Sequence, residues 1–261
     1  MPNDDTPAPR KRRSSEVLRP RSVRGLRPWS SDDVFDRLAA FYGDLEHRPR
    51  IDPTSELVWT ILSQHTSDLN ADRAYRELRR RLPTWPDVLA APTVEVRDAI
   101  KQGGLAQQKA PRIQRVLAEI RRKRGDLDIT FLKDLPLVEA KAWLRELPGV
   151  GPKTAGVVLS FALQMPAMAV DTHIHRVSRR LGLIGPKVTA DEAHDVLECS
   201  IAPERVFLFH VYLITHGRRV CDARKPLCAK CVLLERCPAG AALATEGDTR
   251  LPVAELAMKP L

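Results

Sequence analysis

The chain has 261 residues, of which 43% are hydrophobic, and a formal net charge of +9. This apolar fraction is sufficient for a hydrophobic core, yet no apolar run approaches the roughly 18–20 residues that span a membrane. Since the polar N-terminus also lacks the apolar segment of a secretory signal peptide, these features argue against a membrane-spanning or secreted protein and predict a soluble intracellular one.

Residues 1–28 have the composition of a disordered basic arm. They carry eight basic and three acidic residues, a net charge of +5, and few large apolar side chains. Such a segment cannot bury enough apolar surface to fold, and its positive charge attracts phosphate groups. We expect the arm to bind a polyanion; the alternative is a tail that only improves solubility.

From residue 29 onward the chain reads as a succession of helices with short connections. Hydrophobic residues recur at helical spacing, and Gly or Pro stands at most of the breaks. Thr189 and Glu192 have the spacing of a capping box at a helix start. No alternating run is long enough for a sheet, so the sequence predicts an all-α fold of about ten helices. Nine of the predicted segments are residues 30–43, 54–65, 69–82, 93–102, 108–125, 137–147, 171–182, 189–201 and 204–217.

One connection contains an unusual concentration of Gly and Pro. Residues 148–152 read Pro-Gly-Val-Gly-Pro and stand between two predicted helices. The two glycines allow another backbone to approach closely, and Pro152 suits the first position of a helix. The free amides at the start of that helix would then be available to a phosphate oxygen. The segment is therefore either a hairpin that grips phosphate or an ordinary turn between helices.

Two charged residues occupy predicted helix starts. Lys153 directly follows Pro152, at a point where the helix dipole disfavours a cation. It is either the nucleophilic amine of a catalytic site or a contact to phosphate. Asp171 is either a simple N-cap or a group that relays a proton or stabilises a cationic sugar.

The C-terminal part contains four cysteines within seventeen residues, with the spacing C-x6-C-x2-C-x5-C. A disulfide pairing is not expected in a chain without a secretory signal. Zinc sites usually contain two close pairs, whereas the uneven spacing favours an iron–sulfur cluster; zinc is the alternative. The fifth cysteine, Cys199, is predicted to be a small buried residue on an amphipathic helix. The four closely spaced cysteines are Cys221, Cys228, Cys231 and Cys237.

Three motifs, in this order along the chain, resemble the endonuclease III family of DNA glycosylases. They are Leu-Pro-Gly-Val-Gly-Pro-Lys at residues 147–153, Val-Asp-Thr-His-Ile-His-Arg-Val at residues 170–177, and the four cysteines. The resemblance implies a helix-hairpin-helix protein with two helical lobes and the active site in the cleft between them. It also implies a [4Fe–4S] cluster, with Cys221, Cys228, Cys231 and Cys237 as its ligands.

The same resemblance implies how the chain divides between the lobes. A six-helix lobe that contains the helix-hairpin-helix would comprise residues 46–165. The cluster lobe would combine residues 29–45 with residues 166–240. Residues 241–261 would form a C-terminal tail.

The activity implied by the resemblance is that of a bifunctional DNA glycosylase and abasic-site lyase of base excision repair. Lys153 would attack C1′ of a flipped-out damaged nucleotide with the assistance of Asp171, and the resulting Schiff base would permit β-elimination 3′ to the abasic site. The expected substrates are oxidised pyrimidines, and the expected partner is duplex DNA with damaged bases or abasic sites. We further expect a monomer, without membrane contact, in the cytoplasm of a bacterial- or archaeal-type cell and associated with the chromosome.

The resemblance also implies which residues contact DNA. Extrusion of a base leaves a gap in the stack that a side chain has to fill, and Gln64 or His65 would fill it. Leu105 would wedge into the duplex, although it could instead be a core residue that follows a turn. Contacts to the DNA backbone are expected at Gly149, Val150, Gly151, Arg224 and Lys225.

Two related activities and one of another class are weaker interpretations. Adenine glycosylases with the same cluster lack the hairpin Lys and carry a Glu where this chain has Thr60, and they add a C-terminal recognition domain. Thymine mismatch glycosylases tend to have a Tyr in place of Lys153. A non-catalytic DNA-damage-binding or redox-sensing protein is the alternative outside enzymes, and lesion-dependent strand cleavage would distinguish it.

Overall fold

The computed structural model describes residues 27–43, 49 and 51–240, and these residues form an all-α fold without a strand. The predicted fold class is therefore confirmed. The predicted basic arm, apart from residues 27 and 28, and the predicted tail at 241–261 lie outside the described residues. The described α-helices are α1 Ser31–Tyr42, α2 Pro53–Ser63, α3 Asp68–Arg81, α4 Trp85–Ala90, α5 Thr93–Ala99, α6 Ala106–Arg124, α7 Leu137–Arg145, α8 Pro152–Val157, α9 Thr172–Leu181, α10 Ala190–Glu198 and α11 Val206–Arg219.

Local capping explains where several of these helices begin. Thr189 and Glu192 form the predicted capping box at the start of α10, because each side chain accepts a hydrogen bond from the other's backbone amide. Helix α4 was not predicted from the sequence. It has only six residues, too few to show a helical period, although Thr84 and Asp87 form a second capping box at its start.

A first hydrophobic core lies within helices α2 to α8. Its buried side chains extend along the chain from Leu57 to Ala167 and include Ile61, Ile113 and Leu144. The apolar face of α6 packs into this core. The polar face of the same helix carries four basic residues in its last turn.

A second hydrophobic core lies within α1, α9, α10 and α11. It contains Trp29 and Leu38 from the start of the described chain, and Met168 to Leu233 from its end. The indole Nε1 of Trp29 donates a hydrogen bond to the carbonyl oxygen of Leu233 at 3.1 Å, and the Arg236 guanidinium lies over the Trp29 ring at 3.6 Å. These contacts attach α1 to the segment that contains the cysteines.

No helix of the described chain is long and apolar enough to cross a membrane.

The two cores meet in the extended connection between residues 167 and 170. Ala167 belongs to the first core, whereas Met168 and Val170 belong to the second. Helix α8 passes close to this connection, since a methyl group on Gly156 would lie 3.1 Å from the Ala169 Cα atom. The connection therefore sits where a helix of one core touches the other core.

Helices α9 and α11 cross with almost no space between them at Gly217. A methyl group on Gly217 would lie 2.8 Å from the Cβ atom of His173 and 3.2 Å from a methyl carbon of Val177. Contacts this short involve atoms close to the backbone of α9, so relief requires a movement of the helix itself. The spacing of these two helices is set by the absence of a side chain.

We expect Gly217→Ala to destabilise the protein by about 1–3 kcal/mol, because the added methyl group pushes α9 away from α11. Thermal unfolding of the purified variant measures the effect. Gly185→Ala is the matched control, since its methyl group would lie 3.6 Å from a Val188 methyl carbon, an ordinary contact, and should change stability by less than about 0.5 kcal/mol. Equal melting temperatures for the two variants would contradict the packing argument.

Candidate functional site

The Gly/Pro-rich turn joins α7 to α8. Leu147 and Val150 are buried in the first core and anchor the turn, so Val150 can present only its backbone to a ligand. Gly149 has a positive φ of 75°, and a methyl group there would lie 2.9 Å from the Arg112 Cδ atom. The positive φ therefore favours glycine at position 149, and the absence of a side chain there lets the end of Arg112 approach the turn.

The start of α8 is open to solvent and carries Lys153. Gly151 is the N-cap, and among the described residues no side chain caps the first turn. A methyl group on Gly151 would meet no atom within 4 Å. Lys153 is exposed, and no ion pair of its side chain with a described residue is present. The free amides of this turn and the Lys153 ammonium thus face the same open space.

Asp171 is the N-cap of α9. Its Oδ1 atom accepts a hydrogen bond of 2.8 Å from the amide of Ile174, as its predicted position at a helix start requires. The carboxylate is half-buried. This cap holds one carboxylate oxygen in place and leaves the other for a second role, so the two interpretations of Asp171 are compatible.

His210 of α11 lies within electrostatic range of both charged residues, and the sequence did not single it out. The ring is buried, and its Nδ1 donates a hydrogen bond of 2.7 Å to the carbonyl oxygen of Ala169. Burial is the main cause that lowers the pKa of His210 to about 4; nearby Asp171 raises it, and Lys153 and Arg218 lower it. Lys153, Asp171 and Arg218 therefore all lie within electrostatic range of a single neutral imidazole.

The segment after α2 shows different environments for the two residues that could fill a gap in DNA. Gln64 is half-buried and accepts a hydrogen bond of 2.8 Å from Arg112, and its amide nitrogen lies 3.4 Å from the Thr154 hydroxyl oxygen. His65 is exposed and has a positive φ of 55°. Gln64 is thus engaged inside the protein, close to α8, whereas the ring of His65 projects outward.

Leu105 stands at the start of α6 in a similarly unusual conformation. Its φ is 50° and 47% of its surface is exposed. It is therefore not a core residue, which was the alternative interpretation of this position. An exposed leucine in a left-handed conformation costs free energy twice, once for the backbone and once for its hydration.

The four cysteines lie together at one end of the second core. All four line one cavity, with Arg180 and His216 also in its wall. Arg180 Nη1 donates to the Cys221 sulfur at 3.2 Å and to the carbonyl oxygen of Asp222 at 2.6 Å. Burial raises the pKa of the Cys231 thiol to about 12, since apolar surroundings disfavour the thiolate.

No group of three or more His, Cys, Asp or Glu side chains in the described chain is arranged to hold a metal ion. The four sulfurs nevertheless surround one cavity, and its set of donors is that of an iron–sulfur or a zinc site.

Arg224 and Lys225 lie on the outer side of the cysteine loop. Both side chains are exposed, and both backbone amides donate to the Asp222 carboxylate, at 2.8 and 3.0 Å. This turn directs two cations to solvent beside the cavity.

The prediction for Cys199 was wrong, because this cysteine is exposed after the last turn of α10 and distant in sequence from the cavity.

Comparison with known proteins identifies relatives across most of the chain. A family model for HhH-GPD superfamily base excision DNA repair proteins matches residues 58–203. Endonuclease III of Thermotoga maritima is 35% identical over 187 residues, which are 71% of this chain and 83% of that protein. A protein of Arabidopsis thaliana is 35% identical over 185 residues, which are 70% of this chain and 63% of that protein.

A solved structure resembles the fold over most of its length. It is a trapped endonuclease III–DNA covalent intermediate, with a TM-score of 0.70 and 31% sequence identity, and the match covers 82% of this chain and 98% of that one. The resemblance predicted from the three motifs is therefore confirmed.

Because His210 is buried and neutral, we predict that the folding stability of the protein depends on pH. Its pKa is about 4 in the folded protein and about 6.5 in an unfolded chain. Between these two values the unfolded state binds more protons than the folded state. The contribution of His210 to the free energy of unfolding is therefore full above pH 6.5 and is lost as the pH falls towards 4. This loss is on the order of 2–3 kcal/mol.

We expect His210→Gln, which keeps a donor for Ala169, to reduce this loss, so that its melting temperature falls less than that of the wild-type protein between pH 7 and pH 4.5. Exposed His65→Gln is the control and should follow the wild type. An identical decline for His210→Gln and wild type would show that His210 is not neutral in the folded protein.

Proposed function

Because the chain belongs to the endonuclease III family within the HhH-GPD superfamily of base excision DNA repair proteins, we propose that it is a bifunctional DNA glycosylase and abasic-site lyase. Its substrates are oxidised pyrimidines in duplex DNA, and its partner is duplex DNA that contains damaged bases or abasic sites. It acts as a monomer on the chromosome, in the cytoplasm.

The observation that carries this proposal is that Lys153 and Asp171 both lie within electrostatic range of His210. Lys153 is exposed at the open start of α8, and Asp171 is rigidly held at the start of α9. Both act on the same buried imidazole. An exposed amine and a fixed carboxylate at one site are the groups that attack on a sugar carbon requires.

The reaction proceeds with one amine in two roles. The Lys153 ammonium first gives a proton to Asp171. The neutral nitrogen then forms a bond to C1′ of the extruded nucleotide while the glycosidic bond breaks, and the departing base takes the proton from Asp171. Ring opening leaves a Schiff base between Lys153 and C1′. Loss of a proton from C2′ then expels the 3′ phosphate, and water releases the amine. Asp171 stabilises the cationic sugar or relays a proton in these steps.

The hairpin turn holds the DNA backbone through main-chain groups. Val150 is buried and its amide donates to the Leu147 carbonyl oxygen at 3.1 Å, so it fixes the shape of the turn, while Gly149 and Gly151 present main-chain groups without side chains. These groups bind phosphate without reading the base sequence. They place the sugar of the extruded nucleotide beside Lys153.

We assign the side chain that fills the gap in the stack to His65. It is exposed, whereas Gln64 is hydrogen-bonded by Arg112. Gln64 then lies beside Thr154, one residue from Lys153, where it is available to the extruded nucleotide. Leu105 is the wedge, in keeping with its exposure of 47%.

The cysteine cavity supports a [4Fe–4S] cluster as the resident cofactor. Its four thiols converge on one cavity, and the cluster would act as a structural link between them. Cys221, Cys228, Cys231 and Cys237 would hold it. Arg224 and Lys225, exposed on the same loop, then contact phosphates of the DNA backbone.

The two hydrophobic cores support a division of the chain into two lobes. Residues 46–165 form the lobe that was predicted with six helices; its described residues contain seven, α2 to α8, because the short α4 was not predicted, and its core extends two residues beyond this boundary to Ala167. Residues 29–45 and 166–240 form the cluster lobe around the second core. The substrate occupies the cleft between them, where Lys153 comes from one lobe and Asp171 from the other.

We expect Lys153→Gln to abolish the covalent complex that borohydride traps on duplex DNA with an oxidised pyrimidine, and to retain DNA binding. The amide is not a nucleophile, while the hairpin turn is unchanged. Gel separation of trapped complex from free DNA is the measurement, and Lys187→Gln, another exposed lysine, is the control. Normal trapping by Lys153→Gln would assign the chemistry to another amine.

The cofactor prediction concerns the purified protein. We expect a yellow-brown protein that contains iron and acid-labile sulfide in equal amounts, since sulfur-to-iron charge transfer absorbs visible light. Cys231→Ser should lose most of the iron and lower the melting temperature. Cys199→Ser, whose cysteine is exposed outside the cavity, should retain both. A colourless wild-type protein with stoichiometric zinc would refute the cluster assignment.

A further inference from the structure

A buried lysine of α6 has no part in the proposed chemistry. Lys109 is only 2% exposed. Its ammonium donates hydrogen bonds to the carbonyl oxygens of Leu62, at 2.6 Å, and of Gly103, at 2.9 Å. Burial lowers the pKa of Lys109, and nearby Arg112 lowers it further. Among the described residues no carboxylate pairs with this ammonium.

A buried ammonium without a carboxylate is an expensive way to stabilise a core. Removing a cation from water costs free energy that two carbonyl oxygens repay only in part. An apolar side chain of similar volume would avoid this cost. The position of the two acceptors, rather than core stability, therefore explains why a lysine stands here.

Each acceptor lies directly beside a segment that we assign to DNA insertion. Leu62 is next to the last residue of α2, where helix carbonyls have no intrahelical donor and the dipole attracts a cation. The plug loop, residues 63–66, follows it and contains His65. Gly103 opens the wedge loop, residues 103–105, which ends at Leu105.

The two loop tips share a conformation that needs external support. His65 and Leu105 have φ values of 55° and 50°, in the left-handed region that residues with a side chain rarely adopt. Such conformations persist only where surrounding contacts hold the backbone. Lys109 supplies a contact at the start of both loops, to Leu62 just before the plug loop and to Gly103 in the wedge loop, 47 and 6 residues away in sequence.

We propose that Lys109 is a positioning residue that joins the plug loop and the wedge loop into one unit, so that His65 and Leu105 enter the duplex together when a damaged nucleotide is extruded. This inference rests on the proposed function, because extrusion of a damaged nucleotide is part of that function. It concerns insertion into the duplex and not the chemical steps. The link through Lys109 makes insertion of His65 and insertion of Leu105 depend on each other, whereas loops held separately would insert independently.

Insertion can be measured without any chemical step. A duplex carries a stable tetrahydrofuran analogue of an abasic site, with a fluorescent adenine analogue opposite it, and the fluorescence rises when insertion disturbs the stack. We expect Lys109→Met, which is similar in length but cannot donate, to reduce the inserted fraction about tenfold relative to total DNA binding. Lys133→Met, at an exposed lysine, is the matched control and should insert normally.

A second test, in the wild-type background, changes only exposed residues and does not depend on the folding of Lys109→Met. His65→Ala and Leu105→Ala should each reduce insertion, and the double variant should lose little more than the more impaired single variant. In a soluble Lys109→Met background the two effects should instead multiply, as for independent sites.

The outcomes separate this inference from the proposed function. Normal insertion by Lys109→Met, or multiplying effects of His65→Ala and Leu105→Ala in the wild type, would overturn the role of Lys109 even if base excision is observed. Reduced insertion by Lys109→Met in a protein that excises no lesion would instead support the role of Lys109 and refute the proposed function.

Discussion

The arrangement of both cores depends on the extended connection between residues 167 and 170. Every residue of it is buried, so its polar backbone groups need partners. The amide of Met168 donates to the Glu198 carboxylate at 2.8 Å, and the Met168 carbonyl oxygen accepts from His194 Nδ1 at the same distance. His210 donates to the carbonyl oxygen of Ala169. Helices α10 and α11 thereby hold the connection from the side of the second core.

The same connection sets the distance between the two candidate catalytic residues. Ala169 touches α8 at Gly156, which stands three residues after Lys153, and Asp171 follows two residues after Ala169. One close backbone contact therefore relates the start of α8 to the start of α9. Because the chain is short on both sides of the contact, small movements within either core have little effect on the separation of Lys153 and Asp171.

The insertion loops and the cysteine loop are attached to this centre in different ways. Gln64 reaches it through Thr154 and Arg112, since Arg112 also packs against Gly149 of the hairpin turn. The cysteine loop reaches it through α9, where Arg180 donates to the carbonyl oxygens of Asp222 and Ala223. Gln64 and the cysteine loop, which we propose to contact DNA, are thus both connected to the helices that carry the candidate catalytic residues.

The sequence by itself determined the elements whose signals are local. Helix starts at Ser30, Asp171 and Thr189 could be read from capping residues, because a cap depends on neighbours three residues away. The hairpin, Lys153 and the cysteine spacing were readable for the same reason. The short α4 was missed because six residues do not reveal a period, and the burial of Cys199 was predicted wrongly from its helical pattern.

Only the tertiary structure decided the roles of His210, Lys109 and Arg112. His210 meets Ala169 across 41 residues, Lys109 meets Leu62 across 47, and Arg112 meets Gln64 across 48. No local pattern marks such residues, since a polar side chain in a helix is normally read as part of its solvent face. His210 and Lys109 meet backbone carbonyls, which every residue has, and Arg112 meets the Gln64 side chain, so the packing of distant helices determines which of these groups they meet.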